Sequence, residues 1–123
     1  MCLGCEFKFQ NQILTGGNEM FKETLNTMKE LLPGRDEGAL TYQIQLMEEE
    51  IRRARDAARV SEEKWQKLGN PFTIIRNYAN WLKRKKFYGI VTPNLEDFSI
   101  NSGLFSEFVK ENYPLDPVTG KGL

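Results

Sequence analysis

The stretch LTYQIQLMEEEIRRARDAARVSEEKWQKL, from Leu40 to Leu68, decides the fold. Leu40, Ile44, Met47, Ile51, Ala54, Ala58, Ser61, Trp65 and Leu68 follow one another at alternating spacings of four and three residues without a slip. Residues so spaced share one stripe of an α-helix, and their repetition over successive heptads is the pattern of a coiled-coil seam. No proline interrupts the segment, and the last glycine before Leu68 is Gly38. The pattern predicts one continuous helix over 36–68, which at 1.5 Å per residue would run about 45–50 Å. A compact domain of this size needs less. The helix is therefore expected to project or pair, with Leu40, Ile44, Met47, Ile51, Ala54, Ala58, Trp65 and Leu68 as its partner interface.

The flanks of the seam carry Glu48 with Arg52, Glu49 with Arg53 and Glu63 with Lys67, acid first at the i, i+4 spacing. Each such pair is worth about 0.2–0.5 kcal/mol, enough to keep a helix soluble but too little to choose its partner. The middle of the seam is thin, because Ala54, Ala58 and Ser61 stand where a stable zipper would carry leucines. Small residues admit close neighbours but bury little area, so the helix needs packing on more than one side.

Working outward, Pro33 and Gly34 separate this helix from an earlier one over about 18–32, where Asn18 is a good N-cap and Phe21, Leu25, Met28 and Leu32 recur at helical spacing. On the other side, Gly69-Asn70-Pro71 ends the long segment and opens a third helix over 71–87, with Asn70 as N-cap and Pro71 in its first turn. Phe72, Ile75, Ala79 and Leu82 form one apolar row of that helix, and Ile74, Tyr78 and Trp81 the adjacent row. Beyond Gly89 the pattern degrades until Ser102, which can cap a short helix carrying Leu104, Phe105, Phe108 and Val109. The expected fold is mainly α: a bundle of three principal helices around one long heptad-patterned helix. An extended N-terminal arm over 1–17, in which Phe7 and Phe9 alternate with polar residues, precedes it. A single helical domain would cover 18–113, ending in a small helical C-terminal cap, with 114–123 as a flexible tail.

Composition limits the chemistry. The chain has 123 residues, and 40% of them are apolar, which suits one modest core. It has no histidine, the usual general base near neutral pH and the commonest metal ligand, so Ser-His-Asp and Cys-His catalysis are excluded. Cys2 and Cys5 supply half of a zinc site or two acyl acceptors, and two incidental thiols explain them as well. Glu48, Glu49 and Glu50 are consecutive on a helix and point about 100° apart, which suits solvent better than a shared metal. Gly120-Lys121 lacks the upstream glycine and the following Ser or Thr of a phosphate loop. No catalytic residue, cofactor or metal site is predicted. No apolar stretch approaches the roughly 20 residues of a membrane span, and no signal-peptide pattern opens the sequence, so a cytoplasmic protein is expected.

The formal net charge is zero, from 17 cations and 17 acids, but the two are unevenly placed. Between Lys64 and Leu95 there are seven cations and no acids, leaving ten cations and 17 acids elsewhere. Arg76, Lys83, Arg84, Lys85 and Lys86, set among aromatic residues, are candidates for binding a polyanion, since phosphates need clustered cations and single strands add stacking. The same cations also suit the C-terminal turn of a helix for electrostatic reasons alone. The expectation is a non-enzymatic protein-binding subunit, adaptor or inhibitor, of the size that viral and phage genomes encode, acting through another protein or a second copy along the long helix. A nucleic-acid-binding module built on residues 76–86 is the alternative.

Overall fold

In the computed structural model, which describes residues 19–59 and 61–121, the helices form where cap residues and apolar spacing direct them. Helix α1 covers 19–31. It stops where Pro33 cannot continue it and Gly34 turns the chain at φ 88°. Asp36 then caps α2 (Glu37–Ala58), its carboxylate accepting the Ala39 N–H at 3.2 Å. Helix α3 (Glu62–Leu68) is capped by Ser61, and α4 (Pro71–Phe87) by Asn70, whose side chain accepts the Thr73 N–H at 3.0 Å. A 3₁₀ turn (Leu95–Asp97) leads to α5 (Gly103–Asn112), capped by Ser102. The described residues are thus mainly helical and contain no strand.

The single helix expected over 36–68 is two helices. Arg59 takes a left-handed conformation at φ 55°, and Ser61 restarts the chain with its hydroxyl toward the Lys64 N–H at 3.4 Å. Three features of the sequence favour a break here. Ser61 is a better N-cap than helix interior residue, Val60 is β-branched, and Ala54 and Ala58 bury too little to hold a straight helix against those preferences.

Helices α1 and α4 run side by side in the same direction. Glu23 faces Arg76, Thr27 faces Asn80, Glu30 faces Lys83, and the Leu31 carbonyl accepts from Lys86. Both partners advance together along the chain, which only parallel helices allow. Helix α2 returns between them and packs on α4, burying Leu40, Ile44, Met47 and Ile51 completely against Met28, Ile74, Ile75 and Leu82.

The opposite side of α4 is closed by an aromatic cluster. Tyr78 is fully buried, with ring centroids of Phe98, Phe105 and Phe108 at 5.4, 5.1 and 5.3 Å, and its hydroxyl donates to the Asp97 carbonyl at 2.6 Å. Burial, as the main cause, pushes the Tyr78 phenol above its ordinary value. The segment after α5, expected to be a flexible tail, folds back over 114–121. Val118 enters the core, the Pro117 carbonyl accepts from Arg55 Nε at 2.9 Å, and the Gly120 carbonyl accepts from Lys64 Nζ at 2.9 Å. Lys121 and Gly120 close a loop on Asp116 with backbone hydrogen bonds of 2.8 and 2.7 Å. The expected arm over 1–17, with Cys2 and Cys5, lies outside the described residues.

Candidate interaction surfaces

The seam residues are spent inside the chain. Leu40, Ile44, Met47 and Ile51 have no exposed surface, Trp65 is buried, and Ala54, Ala58 and Leu68 are half-buried. The expected partner interface along α2 is therefore the molecule's own core stripe. The buried part of the stripe is covered by α1, α4 and the C-terminal segment of the same chain, while Ala54, Ala58 and Leu68 keep part of their surface exposed.

Trp65 packs under Arg55, whose guanidinium carbon lies 4.5 Å from the ring centroid. Arg55 is 6% exposed, and its Nη2 has no hydrogen-bond partner among the described residues. Burial lowers its pKa, a shift that Tyr113 and Glu62 oppose through their charge. A cavity of about 230 Å³ adjoins it, lined also by Arg52, Asp56, Glu62, Trp65 and Gln66. Cations and acids balance there, so the cavity has no clear preference for an ion of either sign.

The five candidate polyanion-binding residues are brought to one helix but not to one free surface. Arg76 faces Glu23 at 3.5 Å, Lys83 faces Glu30 at 2.5 Å, and Lys85 faces Glu111 at 3.5 Å. Lys85 also lies 5.3 Å from the Trp81 ring, and Lys86 donates to the Leu31 carbonyl at 2.7 Å. Arg84 alone of the five has no ion pair or hydrogen bond among the described residues and is exposed. Tyr78 and Trp81 are core residues, so they offer no stacking face.

What the structure adds is the turn that follows this basic run. Phe87 is 80% exposed, Tyr88 73% and Ile90 63%, on consecutive positions around Gly89, which takes φ 73°. The Phe87 and Tyr88 rings meet edge to face at 5.2 Å. Backbone bonds from Gly89 and Ile90 to the Lys86 and Lys85 carbonyls, both 2.9 Å, fasten the turn to the end of α4. Helical periodicity could not find this feature, because it begins where the helix ends. The available signal was an apolar run, FYGIV over 87–91, placed between four cations and Thr92-Pro93.

Among the described residues, no group of three or more His, Cys, Asp or Glu side chains is placed to hold a metal, and no helix is long and apolar enough to cross a membrane. Comparison with protein-family models, with curated proteins and with solved structures gives no match.

Proposed function

We propose that this chain is a non-enzymatic interaction protein, a small helical subunit, adaptor or inhibitor that engages a protein partner through the turn at the end of α4. The observation that carries the reading is the exposure of Phe87, Tyr88 and Ile90 side by side on a turn fixed by backbone hydrogen bonds. Large apolar side chains grouped on a hydrogen-bonded surface turn are typical of interface anchors, because each buries much area for little lost conformational freedom. The nucleic-acid alternative draws less support, since four of its five candidate cations already face carboxylates or a carbonyl.

The test is the size distribution of the chain at native levels, compared with the variant Phe87→Asp/Ile90→Asp. The reading expects the natural chain to migrate well above its 14.3 kDa and the variant to fall to monomer size. A natural chain that is already monomeric, or a variant that migrates unchanged, would contradict it.

A further inference from the structure

We infer that the cavity at the bend between α2 and α3 binds a small zwitterion, a molecule that carries a carboxylate and an ammonium as a free amino acid does. Arg55, Asp56, Glu62 and Trp65 are among its lining residues, and its volume is about 230 Å³. A cavity of about 150 Å³ holds benzene, so on the same scale this one has room for about nine non-hydrogen atoms. Leucine and methionine are of that size.

Arg55 receives the carboxylate. The residue is 6% exposed, and its guanidinium is held in place by the Nε bond to the Pro117 carbonyl at 2.9 Å and by the Trp65 ring, 4.5 Å from its central carbon. Nη2 nevertheless makes no hydrogen bond among the described residues. A buried cationic donor is normally met by an acceptor, because leaving it unpaired forfeits its hydration without return. The other cation of the lining, Arg52, already pairs with Glu48 one turn earlier. Stability alone does not account for the charge at Arg55, since an apolar side chain of similar shape generally serves a fold as well as an unpaired buried ion.

Asp56 and Glu62 receive the ammonium. They lie in the last turn of α2 and the first turn of α3, both are exposed, and neither side chain has an ion pair or hydrogen bond among the described residues. On one straight helix, positions six apart would point about 120° away from each other. The left-handed turn at Arg59, with φ 55°, breaks that register, and both acids line the same cavity. A simple anion would meet these carboxylates as like charges, and a simple amine would leave Arg55 unpaired. A zwitterion satisfies both ends and brings no net charge to a lining whose own charges balance.

The test titrates the isotope-labelled full chain with leucine and methionine and follows the side-chain N–H signals by NMR. Isocaproate and isoamylamine serve as controls, being leucine without its ammonium and leucine without its carboxylate. Both amino acids should shift the Trp65 indole N–H and the Arg55 Nε–H saturably, and each control should bind at least about tenfold more weakly than leucine. Arg55→Met should weaken leucine binding at least about tenfold, as should Asp56→Asn/Glu62→Gln, whose exposed positions leave the fold intact. The absence of a saturable shift with either amino acid would overturn the inference, and so would shifts confined to Trp81 or to the turn at Phe87–Ile90. Isocaproate binding as well as leucine would reduce the cavity to an anion site, and isoamylamine binding as well would reduce it to a cation site; either result overturns the zwitterion. Leucine affinity unchanged in Asp56→Asn/Glu62→Gln or in a folded Arg55→Met protein would do the same.

Discussion

Arg55 and Trp65 hold the two halves of the broken helix together, the guanidinium carbon lying 4.5 Å from the ring centroid across the bend between α2 and α3. From the same position Arg55 donates to the Pro117 carbonyl at 2.9 Å, so one side chain joins α2, α3 and the C-terminal segment. Its worth is in packing more than in charge, because Nη2 is buried without a partner among the described residues. Trp65→Ala should therefore destabilise the protein by about 3 kcal/mol, in the range for emptying a large buried side chain. Arg55→Met keeps the stem over the ring and removes the buried charge, and should fall within about 1 kcal/mol of the natural protein. Denaturant unfolding of both variants measures the difference.

The bend itself is open to test at Arg59 and Ser61. Arg59 is the one non-glycine residue with positive φ among the described residues, a conformation that costs an L-residue about 1 kcal/mol. Arg59→Gly should stabilise the protein by up to about that amount, and Arg59→Val, whose branched side chain tolerates the conformation poorly, should destabilise it. Ser61→Ala removes the cap of α3 and should cost about 1 kcal/mol. Thermal unfolding of the three variants would contradict the bend if Gly were the most destabilising.

Tyr78 gives the fold a defined alkaline response. Burial raises the Tyr78 phenol above the ordinary tyrosine value of about 10. Below that pH both folded and unfolded chains keep the proton, and the contribution of this residue to stability is complete. As pH rises through about 10, the unfolded chain releases its proton while folded Tyr78 retains it, so stability falls by up to about 1.4 kcal/mol per pH unit from this group. Tyr78→Phe should lose about 1–2 kcal/mol at neutral pH, with the hydrogen bond to the Asp97 carbonyl, and should show a shallower decline in alkali. An alkaline decline identical in the two proteins would contradict this account.

The basic run should matter little to stability and little to nucleic acid. Lys83 and Glu30 are both more than half exposed, so Lys83→Ala should change stability by less than about 0.5 kcal/mol. Titration of labelled single-stranded DNA at low salt should give weak binding, unaltered in slope by replacing Arg76, Lys83, Arg84, Lys85 and Lys86 with Ala. Tight binding that falls steeply with salt and vanishes in that variant would favour the nucleic-acid alternative over the proposed one.

Much of the fold was legible because caps and apolar spacing act locally. Pro33-Gly34 and Asn70-Pro71 marked boundaries that the structure keeps, and Ser102 caps α5 where the sequence offered it. Two features were hidden for one physical reason. The heptad stripe from Leu40 to Leu68 states which residues are apolar on a face, but not whether a second chain or the same chain covers them, and here α1, α4 and Val118 do. Likewise the stripe runs unbroken through Ser61, so periodicity continues the helix while capping chemistry ends it. The basic residues stand together on α4, yet their carboxylate partners on α1 and α5 come from distant parts of the chain and leave no mark in local spacing. The exposed turn at Phe87 to Ile90 was visible only as an apolar run that begins at the last residue of α4.

The central claim is that this protein associates through the Phe87–Ile90 turn and folds through the α2 stripe, and one paired measurement separates the two. Sedimentation velocity and denaturant unfolding are run on Phe87→Asp/Ile90→Asp and on Ile51→Asp. The account predicts that the first variant still unfolds cooperatively, with a midpoint lowered by no more than its lost association supplied, but sediments as a monomer, and that the second is unfolded or severely destabilised because Ile51 is fully buried. An Ile51→Asp protein that stays folded and merely disperses, or a turn variant that still associates, would contradict it.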